Sequence, residues 1–297
     1  MKHRVYADLP KIGLGNLLLI WARAKVFSEL NGVPLVTSSW WGIRLGAWKR
    51  NEKQKRIYWG YFQESPLQKR MTMLFRKRLH RVVNEPPVAK CTLPFKPTIF
   101  RFAEPISQNE LFNGIKPYRE LIKAEIHKLL QPRLARQMAS LERPEIAVHI
   151  RRGDFKLGST ITPNEFFIRC IQYIRSETGR DLRVTIYTDA EREEIEDVLQ
   201  LGNAHLARQK ADILDILEMS RCRIMILSQT STFSYWAAFL SNAIVIKPHG
   251  DWYGDIRPWE INDRHYEGTV SFESPETLTE LTKSLHREIC KQANSKS

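Results

Sequence analysis

The chain has 297 residues, 42% of them apolar and 27% charged, which is ordinary for a globular protein and enough for one large or two medium cores. Lysine and arginine number 46 against 33 aspartates and glutamates, a formal net charge of +13, and such a balance favours anionic partners: nucleotides, nucleic acid, acidic glycans or an anionic membrane surface. No apolar run reaches the roughly 20 residues of a membrane span, and Cys91, Cys170, Cys222 and Cys290 show neither CxxC pairing nor metal-ligand spacing, so reduced, mostly buried thiols are expected and a disulfide scaffold is not.

Met1-Lys2-His3-Arg4 runs straight into a strand over Arg4–Ala7 rather than an apolar signal core, which predicts a cytoplasmic protein, or one that touches a membrane from its cytosolic face. Ile12-Gly13-Leu14-Gly15-Asn16 follows, then a helix from about Asn16 to Glu29, closed by Asn31-Gly32, and a strand over Val33–Val36. Strand, glycine loop, helix and strand open a parallel α/β domain. From Ser38 to Arg81 tryptophans alternate with arginines and lysines; Ile57–Phe62 is predicted as a short aromatic strand and Leu67–Arg81 as a basic helix. Pro86, Pro87, Pro94 and Pro97 punctuate a stretch of weak periodicity, and Tyr118–Leu141 reads as helix broken near Gln131-Pro132.

The second half alternates more regularly. Strands are predicted over Glu145–Ile150, Arg183–Tyr187, Arg223–Leu227 and Ala243–Ile246. Helices are predicted from Thr162-Pro163, over Arg192–Leu199, Asp212–Met219 and Thr232–Leu240, and from Ser274-Pro275 to about Lys291. Such alternation means parallel sheets covered on both faces. The fold class expected is α/β: two Rossmann-like domains facing across a cleft, one over residues 1–140 and the other over 141–297.

Chemistry collects where strands end. His149-Ile150-Arg151-Arg152-Gly153-Asp154 closes a buried strand. Alternation puts His149 and Arg151 on one face and Arg152 on the other. Paired arginines at the carboxyl end of a strand suit a phosphate or diphosphate, or form an ion pair that merely closes the strand. Gly13, Gly15 and Asn16 let backbone amides approach a phosphate at a helix N-terminus, although Asn16 could equally cap the helix. Asp189 ends Tyr187-Thr188-Asp189, where a carboxylate suits a guanine edge or a ribose hydroxyl, or caps the following turn. Ser228 to Trp236 sets hydroxyls, among them Ser231, Thr232 and Ser234, at another helix start, as phosphate ligands or as simple caps.

In chain order the motifs GLGN (13–16), HxRRxD (149–154), Tyr-Thr-Asp (187–189) and TSTFSYW (230–236) resemble the α-1,2-fucosyltransferases of glycosyltransferase family 11, within the wider superfamily of α-1,2-, α-1,6- and protein O-fucosyltransferases. Gly60-Tyr61-Phe62-Gln63 resembles a first-domain motif of the same family. The resemblance implies a GT-B fold, a GDP-β-L-fucose donor and inverting transfer to a sugar hydroxyl with no metal and no other cofactor. Carried over by motif position, Arg151 holds the β-phosphate, with Arg152 and Asp154 fixing its loop. His149 and Asp189 face the nucleoside, while Asn16, Ser231, Thr232 and Ser234 meet phosphates or the donor. A terminal galactose is the acceptor implied, on a glycan or lipid-linked oligosaccharide. The alternatives kept open are another linkage or GDP-sugar on the same scaffold, or a non-catalytic nucleotide- or glycan-binding protein. The general base is not identified; Asp8, Glu64 and His80 are the candidates outside the motifs. The basic, aromatic stretch from Arg44 to Arg81 is expected at the acceptor or an anionic membrane surface rather than on nucleic acid.

Overall fold

The computed structural model describes residues 3–42, 57–105, 110–153, 161–250 and 253–294, with side chains described as far as 288. The chain divides into two compact units, with the division at Ala139/Ser140.

The first unit is a four-stranded parallel sheet ordered β2-β1-β4-β3, built from β1 (Arg4–Ala7), β2 (Leu35–Thr37), β3 (Arg81–Asn84) and β4 (Thr98–Phe102). Helix α1 (Leu14–Asn31) is almost wholly buried, because Leu17, Leu18, Leu19, Ile20 and Trp21 give it apolar residues on every side rather than one stripe. It ends at Gly32, whose φ of +61° is the left-handed cap that glycine adopts without strain. Phe27 lies against Phe100 and Phe102 of β4, closing the core between helix and sheet. Helices α2 (Leu67–Leu79), α3 (Arg119–Leu129) and α4 (Pro132–Ala139) complete the unit.

Two expectations change here. Ile57–Phe62 forms no strand: left-handed backbone at Tyr58 (φ +55°) and Gly60 (φ +71°) turns the chain, and only a lone antiparallel bridge joins Phe62 to Leu130. The region around the four prolines is flanked by real strands. Arg81, predicted as the end of a helix, begins β3, and Thr98-Ile99-Phe100 in β4 is buried against β1. Each run is too short for its alternation to stand out in the sequence.

The second unit is a six-stranded parallel sheet ordered β10-β9-β8-β5-β6-β7. Its strands are β5 (Ile146–Ile150), β6 (Val184–Thr188), β7 (Ala204–Leu206), β8 (Ile224–Ile226), β9 (Ile244–Pro248) and β10 (Glu267–Val270). From β5 the chain winds outward through α5 (Asn164–Thr178), β6, α6 (Glu196–Leu199) and β7. It then returns through α7 (Asp212–Met219) to β8 on the other side of β5 and continues through α8 (Thr232–Leu240), β9, α9 (Trp259–Asn262), β10 and α10 (Pro275–Asn294). This is the doubly wound order, and its direction reverses between β5 and β8. Two adjacent crossovers leave in opposite directions there, opening a crevice at the carboxyl ends of the strands.

β5 is buried at all five positions, as expected of a central strand with helices on both faces. The edge strands β7 and β10, three and four residues long, carry too little pattern to be read from sequence. β10 is held by the fully buried Arg257. Its guanidinium donates to the carbonyl oxygens of Ala243, His265 and Tyr266 at 2.7–2.9 Å and pairs with Glu267 at 3.2 Å.

Candidate active site

The crevice between β5 and β8 is held together by one hydroxyl. Ser228, just beyond β8, donates from Oγ to the carbonyl of His149 at 2.8 Å and accepts from the backbone N–H of Arg151 at 2.9 Å. Two backbone groups that no neighbouring strand serves at this divergence are thereby satisfied. β6 is tied to β5 in the same way: Thr188 Oγ1 donates to the carbonyl of Ile150 at 2.7 Å and accepts from Ala190 N–H at 3.0 Å. Thr188, not Asp189, therefore serves the turn after β6.

Asp189 is left to organise the arginines. Its Oδ2 pairs with Arg151 Nη1 at 2.5 Å, and its Oδ1 accepts the backbone N–H of Arg152 at 2.8 Å. Arg151 stays partly exposed with its guanidinium plane set. Arg152 goes the other way and is buried. It donates to the carbonyl of Arg151 at 3.0 Å and to the side-chain oxygen of Asn164 in the first turn of α5. Asn164 is itself fixed by donating to the Glu194 carbonyl and to Asp197, both at 2.7 Å. The alternation of faces read from the strand holds, with Arg152 braced by Asn164. Asp154, expected to share that bracing, lies outside the described residues.

His149 is fully enclosed. Burial, reinforced by the Arg151 charge, pushes its imidazole down to about 3, so the ring is neutral at any working pH. It stacks on Phe233 with centroids 5.3 Å apart and an interplanar angle of 27°. Its Nδ1 is buried with no hydrogen-bond partner. A buried unsatisfied nitrogen costs about 1–3 kcal/mol, so His149 Nδ1 calls for a partner beyond the described side chains. Next to it in register is Tyr187, whose hydroxyl donates to Glu218 at 2.8 Å. Burial and that carboxylate push the phenol upward.

The turn entering α8 supplies backbone donors. Thr230 is held at φ +55°, a conformation costing about 1–3 kcal/mol for a non-glycine residue, and its N–H is bound by Tyr235 Oη at 2.9 Å. Ser231 is the N-cap, but its side chain makes no cap hydrogen bond. Among the described residues the N–H groups of Thr232 and Phe233 meet no acceptor. They form an open helix terminus with a favourable partial charge for an anion. Ser234 is fully buried, and its Oγ donates to the Ser231 carbonyl at 3.2 Å; this hydroxyl tightens the cap. Thr162, predicted to cap α5, instead accepts from Gln229 N–H at 3.0 Å, and Pro163 precedes the helix.

Gly13, Gly15 and Asn16 belong to the first unit. Gly13 is the N-cap of α1, and Gly15 and Asn16 lie in its first turn, so Asn16 does not cap the helix. The first amide there, Leu14 N–H, is taken by Tyr58 Oη at 2.9 Å. In the same unit Asp8 is held below the usual carboxylate range by ion pairs to Lys77 and Arg101, at 2.7 and 2.8 Å, which outweigh its burial. Glu64 pairs with Arg70 and accepts from Ser39 at 2.7 Å. Both carboxylates are committed to structure, which weakens each as a general base. Among the described residues no three His, Cys, Asp or Glu side chains converge as metal ligands.

Sequence reasoning did not reach Ser228 as the strand clamp, Asn164 as the support of Arg152, or Phe233 as the stacking partner of His149. Ser228 and Phe233 lay inside a segment already singled out by its hydroxyls. Asn164 carried no signal beyond a helix start.

The parallel sheet with a fixed arginine, a neutral histidine and an open helix terminus at its switch point defines a doubly wound α/β domain. Residues 118–249, which contain this whole site, match the model of glycosyl transferase family 11. Among solved structures the chain is similar to the α-1,6-fucosyltransferase NodZ soaked with GDP-fucose, with 15% identity over 86% of this chain and 98% of that one and a TM-score of 0.52. It is also similar to fucosyltransferase NodZ from Bradyrhizobium, with 14% identity over 82% and 94% and a TM-score of 0.50. At such identity the likeness is one of fold, and the fold is α/β of the GT-B type. No curated protein matches the chain.

Proposed function

We propose that the chain is an inverting, metal-independent fucosyltransferase that moves L-fucose from GDP-β-L-fucose to a hydroxyl of a terminal galactose, forming an α-1,2 linkage. The observation that carries this reading is the pairing of the unsatisfied His149 Nδ1 with Arg151, which Asp189 orients at the switch point. A nucleoside diphosphate supplies hydrogen-bonding groups for the former and negative charge for the latter. Support comes from the family match over the same residues and from the donor in the similar NodZ structure.

In this mechanism the acceptor oxygen attacks the anomeric carbon from the face opposite the diphosphate, the C1–O bond breaks, and its electron pair stays on the β-phosphate. The acceptor proton leaves to a base or to water. Charge grows on the leaving phosphate as the bond breaks. Arg151 and the open amides of Thr232 and Phe233 meet it with dipoles already in place, stabilising the transition state more than the bound donor. Gly13, Gly15 and Asn16 are assigned to the donor by their place at the start of α1, and the Ser231 and Thr232 hydroxyls by theirs at α8. Asp189 acts through Arg151.

The test is transfer from GDP-fucose to a galactose-terminated oligosaccharide, with the product's anomeric configuration and linkage read by NMR. An α-1,2-linked fucose, formed at an unchanged rate in EDTA, is the expected result. A product from GDP-mannose but none from GDP-fucose would reject the donor, and loss of activity in EDTA restored by manganese would reject the metal-independent mechanism.

A further inference from the structure

Helix α2 is amphipathic in the unexpected direction. At about 3.6 residues per turn, Leu67, Met71, Leu74, Phe75 and Leu79 fall on one stripe, on the side opposite Met73, the helix's only buried residue. Met73 packs with Tyr6, Val36 and Ile99 and seats the helix on the sheet. The five stripe residues point outward, from 50% exposed at Leu74 to 77% at Leu79. Helices that cover a core turn their apolar stripe inward. Here the stripe is left for another phase.

The charges identify that phase. α2 carries Lys69, Arg70, Arg76, Lys77 and Arg78 and no acidic residue. Arg70 and Lys77, on the flank nearer the sheet, are paired with Glu64 and Asp8. Lys69, Arg76 and Arg78 have no carboxylate partner among the described residues; Arg78 falls within the stripe, Arg76 flanks its Leu79 edge, and Lys69 lies further round, nearer Met73. Long cationic side chains can lay their methylenes along an apolar surface and keep their charge in water. An apolar stripe edged by cations is the pattern of a helix lying in the plane of an anionic bilayer surface.

Other occupants fit less well. A second copy docked on the same stripe would set one cationic helix against another, each on a chain of net charge +13. The segment at 43–56 of this chain is itself basic in sequence, with six lysines and arginines against one glutamate. A groove that wraps a target helix needs more of its circumference than Met73 leaves available. A flat surface needs only the outer face.

We infer that the outer face of α2 docks the protein on anionic lipid, with Leu67, Met71, Leu74, Phe75 and Leu79 entering the headgroup boundary and Arg76 and Arg78 contacting lipid phosphates. The inference is independent of the donor reading, because lipid binding is measured with neither donor nor acceptor present. The experiment is flotation of the purified chain with vesicles of phosphatidylcholine and phosphatidylglycerol at 3:1, against phosphatidylcholine alone. Binding to the anionic vesicles is expected, weakened in high salt and at least about tenfold weaker for Leu74→Glu/Phe75→Glu. These positions are exposed, so the thermal midpoint should stay unchanged. A second variant, Arg76→Glu/Arg78→Glu, should lose binding while keeping the apolar stripe. Absence of wild-type flotation with anionic vesicles, or equal flotation with neutral ones, would overturn the inference. So would a concentration-dependent dimer abolished by Leu74→Glu/Phe75→Glu, which would assign the face to a second copy.

Discussion

A Cβ added at Gly153 would collide with Asp189 Oδ2, lie 3.1 Å from its Cγ and reach 3.8 Å from Arg151 Cζ. Glycine is required there by close approach, since its φ is not in the left-handed region. Gly153→Ala should push Asp189 off both its partners, the Arg151 guanidinium and the Arg152 N–H. Charge-assisted hydrogen bonds of this kind contribute about 1.5–3 kcal/mol, so we expect kcat/KM to fall by roughly 10- to 100-fold, with less effect on the thermal midpoint; wild-type kinetics in this variant would contradict the role given to Asp189. His149 makes a different prediction. The folded protein refuses the proton down to about 3, whereas the unfolded chain takes it up near 6.5. Folded stability is therefore lost progressively as pH falls below about 6.5 and is untouched above it. His149→Gln should show a shallower loss of thermal midpoint between pH 7 and 4.5 than the wild type, and parallel curves would show that the histidine is not buried as described.

At the scale of elements, two polar side chains hold structure that no hydrophobic pattern encodes. Arg257 ties the last strand to its neighbour through three carbonyls and Glu267. Arg257→Ala should cost about 3–5 kcal/mol, because the carbonyl oxygens of Ala243, His265 and Tyr266 would each lose a buried charged donor, at about 1–3 kcal/mol apiece, while Lys247 would remain 3.3 Å from Glu267; a urea midpoint near wild type would refute this. Asn164 supports the site from α5, and Asn164→Ala should lower turnover by freeing Arg152 while leaving Arg151 in contact with Asp189. Sequence reasoning found α1, the helix over Asp212–Met219 and the buried run into His149 by their period, and the short strands β1, β2 and β8 by the turns and helices beside them. Those it missed, β3, β4, β7 and β10, have three to five residues, and their strand character comes from pairing with neighbours far along the chain. At the Ile57–Phe62 turn, aromatic composition gave the opposite signal to the positive φ that tertiary packing imposes.

For the whole molecule, the two parallel sheets were legible because strands and helices alternate at regular lengths, and the site was legible where its residues close a strand. Its supports were not, since Ser228, Asn164 and Phe233 act through contacts 77, 12 and 84 residues away along the chain. The net charge of +13 has two proposed outlets, a diphosphate at Arg151 and a lipid surface under α2, which differ in their dependence on salt. Lipid contact through exposed lysines and arginines is strongly screened, while a diphosphate held by one fixed arginine and backbone amides is screened less. The measurement that tests the account most directly is calorimetric titration of the wild type and Arg151→Ala with GDP, and with UDP and CMP as controls. The account predicts one GDP site on the wild type, little binding of UDP or CMP, and affinity weakened roughly 10- to 100-fold in a folded Arg151→Ala. Equal affinity for UDP, no binding of GDP, or an unchanged affinity in Arg151→Ala would contradict the assignment of this switch point to the GDP-sugar donor.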